Sequence, residues 1–402
     1  MKILYIHQYF CTPKGSSGVR SYEFAKRWVE AGHSVRIITS MGYDDSLKPG
    51  TVEEIDGITV QTIGGSYSPM MGMLARIWAF FVFAFQSTWI AARSRDYDVV
   101  LTTSTPITVA VPAAAARWIA RRPVVFEVRD VWPDAAIDAG VLSNPVLIFV
   151  ARMLEKLAYG SANHLVPLSS GMEQRMERKG VDPVWMTVLP NCSDMARFDP
   201  KDYDREALRA QLGAGDRFVL LYAGAINIAN DIPFLTECME RLKDSESVVW
   251  WFVGEGNRFE FLKSEVERKG IKNVILWGKQ LKSEVPQYVN AADVGIVSFV
   301  NTPTYFENSP NKFFDYCAGG LPSVFTRTTW VAPYLQQYDS GLVCEQNAVS
   351  EFCGYIEELQ GDSSRVIAMG KNARGMAEQE FSRDEIASKY LTLLERVANE
   401  CK

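Results

Sequence analysis

Short apolar runs alternate along this chain with segments whose apolar positions return every three to four residues. The runs KILYIHQ, SVRIITS, ITVQTIG, YDVVLTTS, RPVVFEV and ANHLVPLS read as strands, and stretches such as SYEFAKRWVEAGH read as amphipathic helices between them. Strands that are apolar on both faces and alternate with helices predict a parallel sheet covered on both sides. After TVLPNCSDMARFDP the rhythm gives way to the polar run KDYDREALRAQLGAGDR, and Pro190–Gly215 reads as an interdomain linker. The rhythm then restarts with FVLLYAGAI, SVVWWFVGEG, KNVILWGK, ADVGIVSF, LPSVF and GLVC. The chain is therefore expected to be α/β, with two Rossmann-like doubly wound domains at 1–195 and 205–383. A last helix over about 384–402 is expected to pack back on the first domain. Ligands bind such sheets at the carboxyl ends of their strands, and the two sets of ends are expected to face each other across a cleft.

Length agrees with two domains, because 402 residues exceed one ordinary core. A net charge of −6 argues against nucleic acid as a partner. The seven cysteines are scattered, without the spacing of a disulfide framework or a zinc site, and fit a reducing cytoplasm. The opening MKILYIHQYF is a strand pattern and lacks the features of a signal peptide.

One apolar segment stands outside the α/β rhythm: SPMMGMLARIWAFFVFAFQSTWIAARSR. Arg76 interrupts it, and the core from Ile77 to Phe85 is too short to span a bilayer. It reads either as a buried helix or as an interfacial helix that meets lipid, with Arg76, Trp78, Phe81 and Phe85 at the contact. The region from Arg76 to Arg129 holds seven arginines against three acids, which suits either a solvated face or an anionic surface.

The densest chemistry lies in YFENSPNKFFDYCAGGLPSVF. Ser309 and Pro310 predict a helix start, with Ser309 as the N-cap, and Gly319–Gly320 predict its end. The N–H groups of Asn311, Lys312 and Phe313 would then sit at the positive end of a helix, beside a lysine. That is a phosphate site. Asp315 one turn further on can accept from a ribose diol, and Glu307 before the helix can grip sugar hydroxyls. A capped helix with solvated acids would give the same pattern. Two glycine-rich turns follow predicted strands, PKGSSG with Gly15 and Gly18, and GEG with Gly254 and Gly256. Arg129 and Asp130 in FEVRDVWPDA are either a structural ion pair or a base and anion clamp. His7 ends the first strand and can approach the same region. The three histidines are dispersed, so metal-independent chemistry with no cofactor is expected.

In their order these motifs resemble the family 4 retaining glycosyltransferases of GT-B fold. The resemblance runs through PKGSSG, GEG, PQYVNAADVGIV and the pair Glu307 and Asp315 within ENSPNKFFDYCAGGLP, where the family has Glu-x7-Glu. VRDVWPDA and YAGAINIA are similar to the WbuB-like subgroup, which serves O-antigen, capsule and other surface polysaccharides. The resemblance implies a nucleotide-sugar donor, UDP-linked and carrying an N-acetylated hexose, and a polyprenyl-diphosphate-linked glycan acceptor. It implies Glu307 at the transferred sugar, Asp315 at the ribose, and Asn311, Lys312, Gly15 and Gly18 at the diphosphate. Gly254 and Gly256 would line the nucleotide pocket, and acceptor would enter near Asp130 and Met70–Phe85. It further implies peripheral attachment to the cytoplasmic face of the inner membrane. GAINIANDIPF lacks the Arg and Lys that many members carry, and Arg129 stands where a histidine is usual. A nucleotide-sugar 2-epimerase of the same fold and a non-catalytic sugar- or membrane-binding scaffold are the alternatives.

Overall fold

The structure is a computed structural model that describes residues 1–15, 18–65, 71–138, 140, 142–345 and 348–401. It divides into two compact units, Met1–Pro190 with Asp384–Lys402, and Asn191–Arg383. The first unit carries strands β1 (Lys2–Ile6), β2 (Ser34–Ser40), β3 (Thr51–Ile55), β4 (Ile58–Ile63), β5 (Val99–Thr103), β6 (Val124–Val128) and β7 (His164–Pro167). Their order is β3-β4-β2-β1-β5-β6-β7, parallel except for the antiparallel edge pair β3 and β4. The expected parallel sheet is present. The added edge strand β3 turns into β4 through Asp56 and Gly57, both at positive φ, the backbone that an Asp-Gly hairpin requires.

Alternation along β1 sorts the helices. Leu4 and Ile6 join a cluster with Phe83 of α2 (Met73–Ala91), Ala113 of α3 (Ala110–Trp118) and Ala158 of the helix Pro145–Ser161. Tyr5 turns the other way, onto Trp28 of α1 (Arg20–Glu30). Trp28 and Phe24 in turn pack on Tyr390 of the C-terminal helix Arg383–Glu400. In α2, Arg76 falls in the first turn, where its Nε donates to Met71 O. It stands third in Leu74–Ala91, which is long and apolar enough to cross a membrane by length and composition, where Ile77–Phe85 alone read as too short.

Glu127 on β6 sits at a buried junction. Arg20 Nε meets its carboxylate at 3.2 Å and Thr103 Oγ1 donates to it at 2.9 Å. The same guanidinium donates to the carbonyls of Leu189 and Pro190, where the chain leaves this unit.

The second unit is a fully parallel sheet of β8 (Phe218–Ala223), β9 (Val248–Val253), β10 (Val274–Gly278), β11 (Val294–Val297), β12 (Ser323–Phe325) and β13 (Gly341–Val343), ordered β10-β9-β8-β11-β12-β13. The consecutive tryptophans Trp250 and Trp251 of β9 are both buried, one in the core on each side of the sheet. The segment expected to be a linker is folded into this unit. It holds a helix, Arg205–Gln211, whose Arg205 and Arg209 both pair with Asp293 and donate to carbonyls of Asn290, Ala291 and Ala292. Paired guanidinium groups hold it down where its polarity suggested solvent.

Replacing Glu127 with Ala would leave Arg20 buried without its carboxylate. The expected outcome is a loss of about 3–5 kcal/mol in urea-induced unfolding of the first unit.

Candidate functional site

In each sheet one strand has neighbours that continue in opposite directions, and ligands bind doubly wound folds beyond that point. In the second unit the point lies between β8 and β11. Gly224 follows β8 with φ at 144°. The loop after it is tied to the GEG turn by Gly224 N to Val253 O, Ile226 N to Glu255 O and Asn257 N to Asn227 Oδ1. A Cβ on Gly254 would stand 2.0 Å from Gly224 O, and one on Gly256 would stand 2.3 Å from Asn227 Oδ1. Both glycines are thus required by the packing of the two loops.

Beyond β11 the chain makes a short helix, Pro303–Phe306, and then Glu307, which is 3% exposed. The helix Asn311–Ala318 follows. Its N-cap is Pro310, not Ser309 as expected. A proline has no side-chain acceptor, and no side chain caps this helix. Ser309 instead accepts from Asn191, at Oγ from the backbone N–H and at its carbonyl from Nδ2. Phe313 N–H is not open either, because it donates to Pro310 O at 3.1 Å. The uncapped start therefore rests on Asn311 and Lys312.

Lys312 is half-buried as a residue, but its Nζ is buried and has no hydrogen-bond partner among the described residues. The ammonium lies 3.5 Å from the centre of the Tyr222 ring, and a Cβ on Gly224 would stand 3.1 Å from its Cε and 3.5 Å from its Nζ. Burial lowers its pKa well below the ordinary lysine value. One turn on, burial raises the pKa of Asp315, while Ser193, whose Oγ donates to Oδ1 at 2.7 Å, and Arg383, Lys282 and Arg197 pull it down. An unpartnered amine, an uncapped helix start and a glycine without a side chain in the way form a place for an anion. A cavity of about 620 Å³ elsewhere in this unit is lined by Phe218, Asp293, Leu321 and Arg374, at the other end of the sheet, and holds none of these residues.

In the first unit the corresponding point lies at β1 and β5. His7 turns toward α1, with Nδ1 2.7 Å from Ser21 Oγ, and burial followed by Arg129 keeps it neutral. Gln8 is fully buried, and neither amide atom has a hydrogen-bond partner among the described residues. Sequence reasoning missed it, since only the fold reveals that burial. Arg129 follows β6, and its N–H donates to Ser104 Oγ. Asp130 accepts from Thr105 Oγ1 at 3.2 Å, and burial raises its pKa against the pull of Arg129 and Thr105. Thr105, also unforeseen, holds that bond at φ of 82°, a strained conformation for a β-branched residue. Gly15 is wedged against Cys11 Sγ and Tyr43 O, leaving no room for a Cβ. Gly18 leads into α1, while Ser16 and Ser17 between them lie outside the described residues, as does Met70. On α2, Trp78, Phe81 and Phe85 are exposed and stack in sequence, with ring centres 5.7 and 6.5 Å apart. No group of three or more His, Cys, Asp or Glu able to hold a metal occurs among the described residues.

Two Rossmann-like units in one chain, the second with an uncapped helix start and a buried amine at its switch point, define the class of GT-B glycosyltransferase folds. Residues 15–192 match the model of the glycosyl transferase 4-like domain, and residues 204–376 that of glycosyl transferases group 1. The chain belongs to the family 4-like glycosyltransferases and is an enzyme of that class. It is 26% identical over 178 residues to the putative colanic acid biosynthesis glycosyl transferase WcaI of Escherichia coli K12, covering 43% of this chain and 44% of that one. It is 22% identical over 200 residues to the UDP-Gal:alpha-D-GlcNAc-diphosphoundecaprenol alpha-1,3-galactosyltransferase of Escherichia coli, covering 48% and 50%. These two matches span about half the length of the relatives. The fold is similar to that of Anabaena Alr3699/HepE in complex with UDP and glucose, at TM-score 0.73 and 18% identity over 98% of this chain and 99% of that one.

An anion that reaches Lys312 favours the charged amine that burial disfavours. Diphosphate binding is therefore expected to take up a proton, and affinity to fall as pH rises between the free and bound pKa of Lys312. Calorimetry in two buffers of different ionisation enthalpy reads the uptake. Lys312→Met should abolish it and weaken binding by about 10- to 100-fold, the loss of a charge-assisted hydrogen bond.

Proposed function

We propose that this glycosyltransferase moves a sugar from a UDP-linked donor, an N-acetylated hexose, onto a lipid-diphosphate-linked glycan during surface polysaccharide assembly, with retention of anomeric configuration. The buried, unpartnered Nζ of Lys312 at an uncapped helix start carries this reading, because it supplies a place for the donor's diphosphate. The UDP bound by the structurally similar HepE supports the donor class, and the diphosphoundecaprenol in the galactosyltransferase's name supports the acceptor class. The colanic acid assignment of WcaI supports the polysaccharide setting. Glu307 contacts the transferred sugar and Asp315 the ribose.

The reaction is a same-face substitution. The bond from the anomeric carbon to the β-phosphate oxygen breaks, the acceptor hydroxyl oxygen bonds to the same face, and its proton passes to the departing diphosphate. Lys312 and the helix start stabilise the charge on that leaving group, so the protein contributes orientation and electrostatics. Arg129 and Asp130 of the first unit handle the acceptor. The chemistry is proposed to need no metal. The exposed rings of α2 are proposed to hold the enzyme peripherally on the cytoplasmic face of the membrane, where a lipid-linked acceptor presents its glycan.

A donor screen with UDP, GDP, ADP and TDP should show selective binding of UDP. Glu307→Gln should keep that affinity and lower turnover by about 10²–10⁴-fold. Turnover equal to the wild type in that variant would remove Glu307 from the reaction, and selective binding of another nucleotide would rename the donor. Product NMR that reports an inverted anomer would exclude the same-face course.

A further inference from the structure

The two faces of the first unit's sheet meet solvent differently. On one face, the C-terminal helix buries Ile386, Tyr390 and Leu394 and exposes Glu385, Lys389 and Glu395, the ordinary division of an amphipathic helix. On the other face, the helix Pro145–Ser161 buries Ala151, Glu155 and Ala158 against the core. It also exposes Val146, Phe149, Val150 and Met153, which recur at i, i+3, i+4 and i+7. That spacing is one apolar stripe, and it points outward, with Val146 at 67% and Phe149 at 65% exposure. The first two turns of this helix are thus apolar on their inner and outer sides. Helices with that property are enclosed by protein or by lipid.

The stripe has neighbours of the same kind. This helix and α2 both pack against α3 and against the turn Ile107–Val109 before it. At the end of α3, Trp118 and Ile119 are exposed. The helices that carry these side chains, and the residues just after them, bring cations to the same face. Arg93 lies over the Trp89 ring at 3.3 Å, Arg117 and Arg121 flank Trp118, and Arg152 and Lys156 rise from the helix itself. The sequence of α2 and α3 contains no acid, and the only acid of the helix Pro145–Ser161, Glu155, is buried and paired with Lys179.

We propose that the outward stripe of Pro145–Ser161 is a second membrane-insertion element, which together with α2 seats the first unit in the interface of a bilayer carrying anionic headgroups. Apolar side chains at the level of the acyl chains and arginines at the level of the phosphates are the chemistry such an interface selects. A second copy of the chain fits less well, because a two-fold pairing would bring this cationic rim toward itself. The proposal rests on the membrane attachment put forward for α2 and adds an independent contact to it.

Flotation of the full chain with vesicles of phosphatidylcholine, with and without about one-third phosphatidylglycerol, tests it. Three proteins are compared: wild type, the triple variant Phe149→Ser, Val150→Ser and Met153→Ser, and the α2 pair Trp78→Ser and Phe81→Ser. Phe149→Asp alone serves if the triple variant does not fold. Light scattering and calorimetric UDP affinity accompany each. The expected result is that the triple variant stays monomeric, keeps its nucleotide affinity and loses at least about tenfold in partition to the anionic vesicles. A triple variant that floats like wild type, while the α2 pair does not, would overturn this proposal and leave the α2 attachment standing. Wild type that stays off both kinds of vesicle would overturn both. A wild-type dimer that the triple variant breaks would assign the stripe to a second copy instead.

Discussion

The ion pair between Arg20 and Glu127 is the constraint on which the first unit is built. It joins the start of α1 to the end of β6, and the remaining donors of the guanidinium take the carbonyls of Leu189 and Pro190. Thr103 on the next strand donates to the same carboxylate. A buried pair is tolerable only when its hydrogen bonds are filled in this way. Arg129 and Asp130 lie two and three residues beyond Glu127, so the geometry of the candidate acceptor residues is set from this junction. Its effect reaches the C-terminal helix as well. Burial, followed by the Glu127 carboxylate, raises the Tyr390 phenol well above its ordinary pKa, which keeps that ring neutral against Phe24 and Trp28.

The second unit uses the opposite device. Where Arg20 is fully paired, Lys312 is left without a partner, over the face of Tyr222. A protein surrenders stability by desolvating an amine in this way, and the proposed diphosphate would offset that loss on binding. The surrounding backbone is closely packed. A Cβ on Gly254 would run into Gly224, and one on Gly256 into Ile226 and Asn227, so none fits at either. The amine is thus presented by a closely packed frame, the kind of setting on which the proposed stabilisation of a leaving diphosphate would rely.

Much of this was legible in the sequence, for a physical reason. Strands of a parallel sheet are buried on both faces and read as continuous apolar runs, so VVFEV and VVWWFV announce themselves. The strand TVEEI does not, because an edge strand shows one side to water. Its Asp56-Gly57 turn was the available signal. Glu307, Lys312 and Asp315 were legible because the residues between them encode a helix start. The cap was misplaced by one residue, since Ser309 is a good cap by type and only the fold reveals that Asn191 engages it. The linker reading failed because arginine looks solvated in a sequence, and its partner Asp293 is remote along the chain. Gln8 was illegible because nothing local marks an amide as buried and unpaired.

The apolar helices expose the limit of pattern reading most clearly. PVLIFVARMLEKLAYGS has the composition of a core helix, and periodicity cannot distinguish a stripe that faces the sheet from one that faces away. The structure resolves the question for Pro145–Ser161 by finding both. The same holds for α2, whose Phe83 is buried beneath β1 while Trp78, Phe81 and Phe85 remain outside. Folding has already taken what it can use from these helices, and the apolar surface that remains exceeds what the sheet can cover. A soluble domain gains nothing from such a surplus and risks aggregation. Its retention on one face, framed by arginines and set against an ordinary polar helix on the other, makes the surplus part of how the first unit meets its surroundings.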